Sequence, residues 1–205
     1  MYTEILDSDQ LGLQQTMKLF RKEFYLVGGT AIALQIGHRR SIDFDMFTPK
    51  PFGKKKVLNV FKNAGKQVLV TRQVSEQLNL VVDKVKITFF EYPYQVETDT
   101  SDTTFRIPNL LALAAMKAFA LGRRSKWKDY VDLYFLFRDR YSLSDVISKA
   151  EGIYGNEFSA KLFRSQLAYH ADIDYSEKVA YMPRHEVEPE AVKAYLIDKA
   201  LEGVI

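Results

Sequence analysis

The chain has no cysteine and only three histidines among its 205 residues. Disulfide bonds and thiolate metal sites are therefore excluded, and the scattered histidines argue against a histidine-based zinc site. The longest apolar run, "LLALAAM", is far too short to cross a membrane. The opening "MYTEILDSDQ" is acidic and lacks the apolar stretch of a signal peptide. These absences favour a protein of the reducing cytoplasm, without a membrane partner.

Acidic residues are missing from two long stretches, although the formal net charge is only +3. Residues 46–75 and 103–128 carry lysine and arginine but no aspartate or glutamate, whereas acids outnumber bases in residues 172–205. A basic run is most often a solvated face. Two such runs also fit a polyanionic substrate such as a nucleotide or RNA.

The order of predicted elements indicates an α+β chain with a mixed sheet in its first half and helices in its second. Short apolar strands alternate with helices up to about residue 92, and "DK" at 83–84 predicts a hairpin turn. From about residue 108 the apolar period becomes helical. The polar segment "ETDTSDTTFRIP" separates the halves, which predicts domains at 1–102 and 103–205.

Two aspartates alternate with apolar residues in the predicted strand "IDFDMF". Alternate side chains of a strand share a face, so Ile42, Phe44 and Met46 are predicted on the core face and Asp43 and Asp45 on the other. Aspartate is depleted from strands, and two carboxylates this close repel each other. A solvated strand edge would relieve that repulsion. A bound magnesium ion would also do so, because it takes carboxylate oxygens together with substrate phosphates.

A glycine pair ends the apolar strand that precedes these aspartates. Gly28 and Gly29 permit positive φ and close approach of a ligand to the backbone, and Thr30 is placed to cap the helix that follows. The free N–H groups of a helix N-terminus favour a phosphate. Gly–Gly is also a common turn, so the phosphate hypothesis depends on the nearby aspartates.

One lysine interrupts a predicted helix that is apolar nearly all round. Lys117 lies in "LLALAAMKAFAL", where a buried ammonium needs an acidic partner, and Asp132 on the following helix could provide it. This pair could be purely structural, or Lys117 could bind nucleotide phosphate while Asp132 orients it. Asp129 shares a helix face with Asp132 and could pair with the neighbouring Lys126 and Lys128.

These segments together resemble the AbiEii-type nucleotidyltransferase toxins, a family of the polymerase-β-like nucleotidyltransferase superfamily. The resemblance rests on the glycine pair, on "RRSIDFD", on the helix lysine and on "KDYVDL". It implies a minimal nucleotidyltransferase core followed by a helical domain that completes the active site. The resemblance implies Asp43, Asp45, Lys117 and Asp132 as catalytic residues, with Asp43 and Asp45 as metal ligands, and Gly28, Gly29, Thr30, Arg39, Arg40, Ser41 and Asp129 as substrate-binding residues.

The activity implied is magnesium-dependent transfer of a nucleotidyl or related phosphoryl group from an NTP to an acceptor, such as the 3′ end of tRNA. A cognate antitoxin protein is the partner that the resemblance implies. An arginine fork suits phosphate geometry, and only one of Arg39 and Arg40 is expected to face the site. Ser41 shares the strand face of Asp43 and Asp45 by period two, and its hydroxyl could bond a phosphate or its own backbone. One departure is Thr88, which stands where the superfamily supplies a third carboxylate.

Two other functions are compatible with the residues. A non-catalytic nucleotide- or RNA-binding module on a degenerate transferase core would explain Thr88. A D-x-D glycosyltransferase would use the same aspartates to hold a metal and a nucleotide-sugar, although the chain is short for that class.

Overall fold

The computed structural model of the chain describes residues 1–99 and 102–203. It divides into two compact units, Met1–Asn109 and Leu110–Ile205. The first unit combines a mixed sheet with helices and the second is helical, so the predicted α+β class is confirmed. The boundary lies after Asn109 because the preceding segment pairs with the first unit: Leu26 N donates to Arg106 O at 2.8 Å.

Helices and strands alternate in the first unit as far as α3, and strands alone follow. Its elements are α1 (Ser8–Lys18), β1 (Tyr25–Val27), α2 (Gly28–Ile36), β2 (Asp43–Thr48), α3 (Lys54–Asn63), β3 (Val68–Gln73), β4 (Gln77–Val82), β5 (Val85–Glu91), β6 (Thr98–Asp99) and β7 (Ile107–Pro108). Asp7 caps α1 in a capping box with Gln10, and the helix begins at Ser8. The predicted hairpin is present, and Asp83 and Lys84 make its turn with φ of 45° and 77°.

A five-stranded sheet in the order β1-β2-β5-β4-β3 forms the centre of this unit. The pairing of β2 with β5 is parallel, and the other neighbours are antiparallel. One face packs against α3 and the segment that follows α1 through rings that include Phe20, Phe61 and Phe89, with centroids 4.9–6.2 Å apart. Apolar burial on this face stabilises the unit.

The second unit consists of helices with short connections, except for the last two, which are joined by residues 169–188. Its elements are α4 (Leu110–Leu121), α5 (Trp127–Asp139), α6 (Leu143–Tyr154), α7 (Ala160–Ala168) and α8 (Pro189–Leu201). Ser142 caps α6 in a capping box with Asp145, and Pro189 begins α8, where its missing N–H costs nothing. Over residues 1–99 and 102–203, the structure has no helix that is both long and apolar enough to span a bilayer.

Candidate functional site

The two aspartates of β2 share one face of the central sheet. Asp43 and Asp45 are half-buried, whereas the intervening Phe44 and the following Met46 are 0% and 1% exposed on the packed face. The predicted alternation is therefore confirmed over β2. It was wrong for Ile42, which is 52% exposed because the strand begins only at Asp43.

The parallel neighbour β5 places two further polar residues beside these carboxylates. Lys86 is the register partner of Asp43, and Thr88 is the register partner of Asp45. Lys86 is exposed, so its ammonium adds a cation to the face that carries the aspartates. The sequence analysis did not single out Lys86, although its alternation with buried Ile87 gave the same period-two signal.

The glycine pair lies in the helix and not in a turn before it. Gly28 and Gly29 do not form a turn before the helix but are the first two residues of α2, and the N-cap is Val27 rather than Thr30. Gly28 has φ +71°, and a Cβ on it would overlap Asp45 Oδ2. A Cβ on Gly29 would overlap the Arg39 guanidinium. The glycines thus make room for protein side chains, and the Asp45 carboxylate lies beside the positive end of α2.

The polar side chains between α2 and β2 are mostly buried. The Thr30 hydroxyl donates to the Asp43 main-chain oxygen and lies 2.8 Å from Ser41 Oγ. Ser41 is 8% exposed and precedes β2, so it does not share the strand face as expected. Arg39 is 2% exposed and Arg40 is exposed, in agreement with the expectation that only one of them faces inward.

The donor set on β2 fits magnesium through two carboxylates. Asp43 and Asp45 offer hard oxygen ligands on one face, and magnesium is commonly held by one or two carboxylates together with phosphates and water. Thr88, beside Asp45, is neutral. Within the described part of the chain, no three histidine, aspartate or glutamate side chains form a group that could hold a metal ion.

A second charged group lies between α4 and α5 in the helical unit. Lys117, which is 5% exposed, donates to Asp129 Oδ1 at 2.7 Å and lies 3.0 Å from Asp132 Oδ2. The expected partner Asp132 is confirmed, and Asp129 is a second partner. Arg124 also binds Asp129, with Nε 2.9 Å from Oδ2. The expectation that Asp129 is a surface charge was wrong, because it is 2% exposed.

The charges around Asp129 determine its ionisation. Burial opposes the charged form, but Lys117 and Arg124 together hold the pKa of this carboxyl below its ordinary value. Lys126 and Lys128, the expected partners of Asp129, instead contact Glu177, with Lys128 Nζ 2.8 Å from Oε2. These two lysines lower the pKa of Glu177 to about 2.

The predicted site residues therefore lie in two groups, one in each unit. The first group surrounds the start of α2 and the carboxylate face of β2; the second is the ion cluster of Lys117, Arg124, Asp129 and Asp132. The role of Arg124 was missed because a neighbouring arginine in "GRR" gives no sign of which side chain turns inward.

The fold is similar to those of solved nucleotidyltransferase structures. It is similar to MenT4, a nucleotidyltransferase toxin from Mycobacterium tuberculosis H37Rv, with a TM-score of 0.63 at 14% identity over 93% of this chain and 80% of that one. It is also similar to JHP933 from Helicobacter pylori, with a TM-score of 0.55 at 17% identity over 95% of this chain and 91% of that one. Identities this low establish a shared fold alone.

Residues 77–195 match the family described as nucleotidyl transferase AbiEii toxin, type IV TA system. The match covers more than half of the chain, and the chain belongs to this family. Lys117, Asp129 and Asp132 lie inside the matched range, whereas Asp43 and Asp45 precede it. The assignment of the first group therefore depends on its own geometry.

The chain also resembles the protein aq_aa25 of Aquifex aeolicus (strain VF5). The two are 36% identical over 121 residues, which are 57% of this chain and 58% of that protein. The similarity thus spans little more than half the length of this curated relative.

Proposed function

We propose that the chain is a magnesium-dependent nucleotidyltransferase that transfers a nucleotidyl or related phosphoryl group from an NTP to RNA. The observation that carries the proposal is the pair Asp43 and Asp45 on one face of β2, beside the first turn of α2. Family membership supports this reaction class and a role as the toxin of a toxin–antitoxin system. A cognate antitoxin protein is accordingly the proposed partner.

In nucleotidyl transfer, an acceptor hydroxyl oxygen forms a bond to the α-phosphorus of the NTP, pyrophosphate leaves, and the hydroxyl proton passes to solvent. Asp43 and Asp45 would hold the metal through their carboxylate oxygens. When bound, magnesium neutralises triphosphate charge and stabilises the attacking and leaving oxygens. Lys86 beside Asp43 is placed to attract a phosphate to the same face.

Other predicted residues near the start of α2 have supporting roles in this proposal, either shaping the phosphate site or contacting the phosphate. Arg39, Ser41 and Thr30 are buried around the start of α2, which supports a role in fixing the shape of the phosphate site. Arg40 is exposed and is proposed as a phosphate contact.

The ion cluster of the helical unit is proposed to bind substrate phosphate. Asp129 and Asp132 hold the Lys117 ammonium at a fixed position, which is how a cation is preorganised for an anionic group. Arg124 offers a second cation to the same ligand, since its side chain is 52% exposed.

The proposal is tested by nucleotide binding and transfer. Calorimetry with each of the four NTPs should show binding that EDTA removes, and labelled NTP with total RNA should give labelled RNA. Asp43→Asn and Asp45→Asn should abolish transfer while leaving the melting temperature of the metal-free protein unchanged or higher, because each change relieves carboxylate repulsion. Asp9→Asn, on the exposed surface of α1, is the matched control.

Two results would argue against this function. NTP binding of equal strength without metal would remove Asp43 and Asp45 from the site. A clear fall in melting temperature for both variants would mark them as structural.

A non-catalytic nucleotide- or RNA-binding module is the second candidate. Thr88 favours it, because a neutral hydroxyl lies beside Asp45 where the superfamily supplies a third carboxylate. Such a module would bind magnesium–NTP but transfer nothing to any RNA. Thr88→Asp would then be expected to create or increase transfer, whereas a competent enzyme would already show it.

A further inference from the structure

The carboxylate face of the sheet has an ordered sequence of side chains along β2 and β5. Because the two strands pair in parallel register, their residues form rows across the same face. The first row is Asp43 with Lys86, the second is Asp45 with Thr88, and the third is Phe47 with Phe90. Charge, hydroxyl and aromatic ring thus follow one another along one direction.

The aromatic row is open to solvent in part. Phe47 and Phe90 are half-buried, in contrast to Met46 and Phe89 on the opposite face, which are 1% and 0% exposed. The two rings have centroids 5.2 Å apart and planes inclined by 56°. Tyr92 supports them from one side, with its centroid 4.9 Å from that of Phe47. Two supported rings with accessible surface form an aromatic platform beside the carboxylates, whereas the β1 residues on this face, Tyr25 and Val27, are both 2% exposed.

The order of the rows matches the order of groups in a nucleotide. Lys86 and the carboxylates suit phosphate and metal, and Thr88 suits a sugar hydroxyl. The next row lies about 7 Å further along the strand, at two residues of about 3.4 Å each. This is the scale of a step from the sugar of a nucleotide to its base. Aromatic side chains stack on any base, because every base has a π-face.

We propose that Phe47 and Phe90 form a stacking platform for a nucleobase whose reacting group lies at Asp45. This inference rests on the proposed function and adds to it the contact that holds the base. The base belongs either to the NTP or to the terminal nucleotide of the acceptor. The shared chemistry is a planar nucleobase, and the two sources are separated by the choice of probe.

The test compares probes with and without a base on the full chain. For the NTP, magnesium–ATP is compared with magnesium–tripolyphosphate. For the acceptor, a short RNA with an ordinary 3′-terminal nucleotide is compared with the same RNA ending in an abasic residue. Phe47→Leu and Phe90→Leu keep apolar volume but lose the ring. Phe52→Leu is the matched control, because Phe52 is also half-buried but packs on Phe24 and Phe89 at the opposite face.

We expect the base-containing probe of one arm to bind about 5- to 150-fold more weakly to Phe47→Leu and Phe90→Leu, which is the fold-change that corresponds to the loss of base stacking on an aromatic side chain. Binding of the base-lacking probe should not change, and Phe52→Leu should resemble wild type. The arm that responds identifies the source of the base. Unchanged binding in both arms, or an equal loss for probes with and without a base, would overturn the platform.

A second variant keeps the test decisive if the leucine variants fold poorly. Phe90→Trp retains a ring, and a stacked base should quench its fluorescence above the background of Trp127, the single natural tryptophan. Quenching by ATP or by the base-containing RNA, and not by their base-lacking counterparts, is expected; its absence would overturn the proposal. Asp45→Asn measured with magnesium–tripolyphosphate reports separately on the metal site, so failure of the proposed function is distinguishable from failure of the platform.

Discussion

At the scale of single residues, Gly28 has two separate reasons to lack a side chain. Its φ of +71° lies in the left-handed region, and a Cβ would overlap the Asp45 carboxylate. Gly65 has nearly the same backbone angle, φ +69°, with nothing within 4 Å of its would-be Cβ. Substitutions at Gly28 and at Gly65 therefore separate backbone strain from the cost of displacing a carboxylate.

We predict that Gly28→Ala and Gly65→Ala both lose about 1–2 kcal/mol of stability through the left-handed backbone. Gly28→Ala should in addition displace Asp45 and lower the affinity for magnesium–NTP, whereas Gly65→Ala should bind normally. Denaturant unfolding and calorimetry measure the two effects. Equal nucleotide affinity in the two variants would show that the position of Asp45 does not matter for binding.

The residue scale also shows where sequence reasoning stops. Period two correctly assigned Asp43 and Asp45 to one face, because β2 is regular from its first residue. It failed for Ile42 and Ser41, since the point at which a strand begins depends on its pairing partners. The glycine pair was recognised as special, but the side chains that approach it come from residues 39 and 45 and cannot be read from local spacing.

At the scale of elements, the contact between α4 and α5 depends on a buried ion cluster. Lys117 is the cation shared by Asp129 and Asp132, and Asp132 is 0% exposed. A buried ion pair contributes little net stability, but breaking one leaves an uncompensated buried charge. Removing Lys117 takes one ion pair from each carboxylate, and Asp129 keeps its pair with Arg124.

We predict that Lys117→Met alone lowers the free energy of unfolding by about 3–5 kcal/mol. The double variant Lys117→Met/Asp132→Leu should recover much of this loss, because the buried carboxylate that had paired with Lys117 is also removed and Arg124 still neutralises Asp129. Lys128→Met, which removes a partner of the more exposed Glu177, should cost only about 0–1 kcal/mol. Chemical denaturation of the four proteins measures these differences, and a double variant no more stable than the single one would contradict the account.

The same cluster predicts how stability depends on pH. The pKa of Asp129 is lower in the folded protein than its ordinary value of 3.8, to which it returns on unfolding. Its contribution is therefore fully present above about pH 4–5 and is lost as the pH falls toward the folded pKa. The stability difference between wild type and Asp129→Asn should shrink below about pH 4. Thermal melts from pH 7 to pH 3 would show this, and a constant difference would refute it.

The elements themselves were largely predictable, but their arrangement was not. The β4–β5 hairpin and the long helices followed from local period and turn residues. The parallel pairing of β2 with β5 joins strands about 40 residues apart in sequence, and no local signal encodes it. That pairing brings Lys86 to Asp43. For the same reason the sequence did not show that Lys126 and Lys128 pair with Glu177 and not with Asp129.

At the scale of the whole molecule, charged residues are unevenly distributed along the sequence, and basic residues also lie on the carboxylate face of the sheet in the first unit. Residues 46–75 carry no acid, and two basic residues share the carboxylate face of the sheet. Lys86 is the register partner of Asp43, and Arg72 lies in the row of Asn79, Thr88 and Asp45. These cations would offset the repulsion between the aspartates and a polyanionic acceptor.

The salt dependence of RNA binding should therefore include contributions from Lys86 and Arg72. Each phosphate neutralised on a single strand contributes about −0.7 to the slope of log K against log salt concentration. We predict that Lys86→Gln and Arg72→Gln each reduce the magnitude of this slope by about 0.7. Lys55→Gln, which removes an exposed lysine of α3 on the other side of the sheet, should change it little. Filter binding or fluorescence anisotropy at salt concentrations from about 50 to about 300 mM measures the slopes. Equal slopes for all four proteins would mean that the acceptor does not cross the carboxylate face, and that the acid-free stretch is a solvated surface.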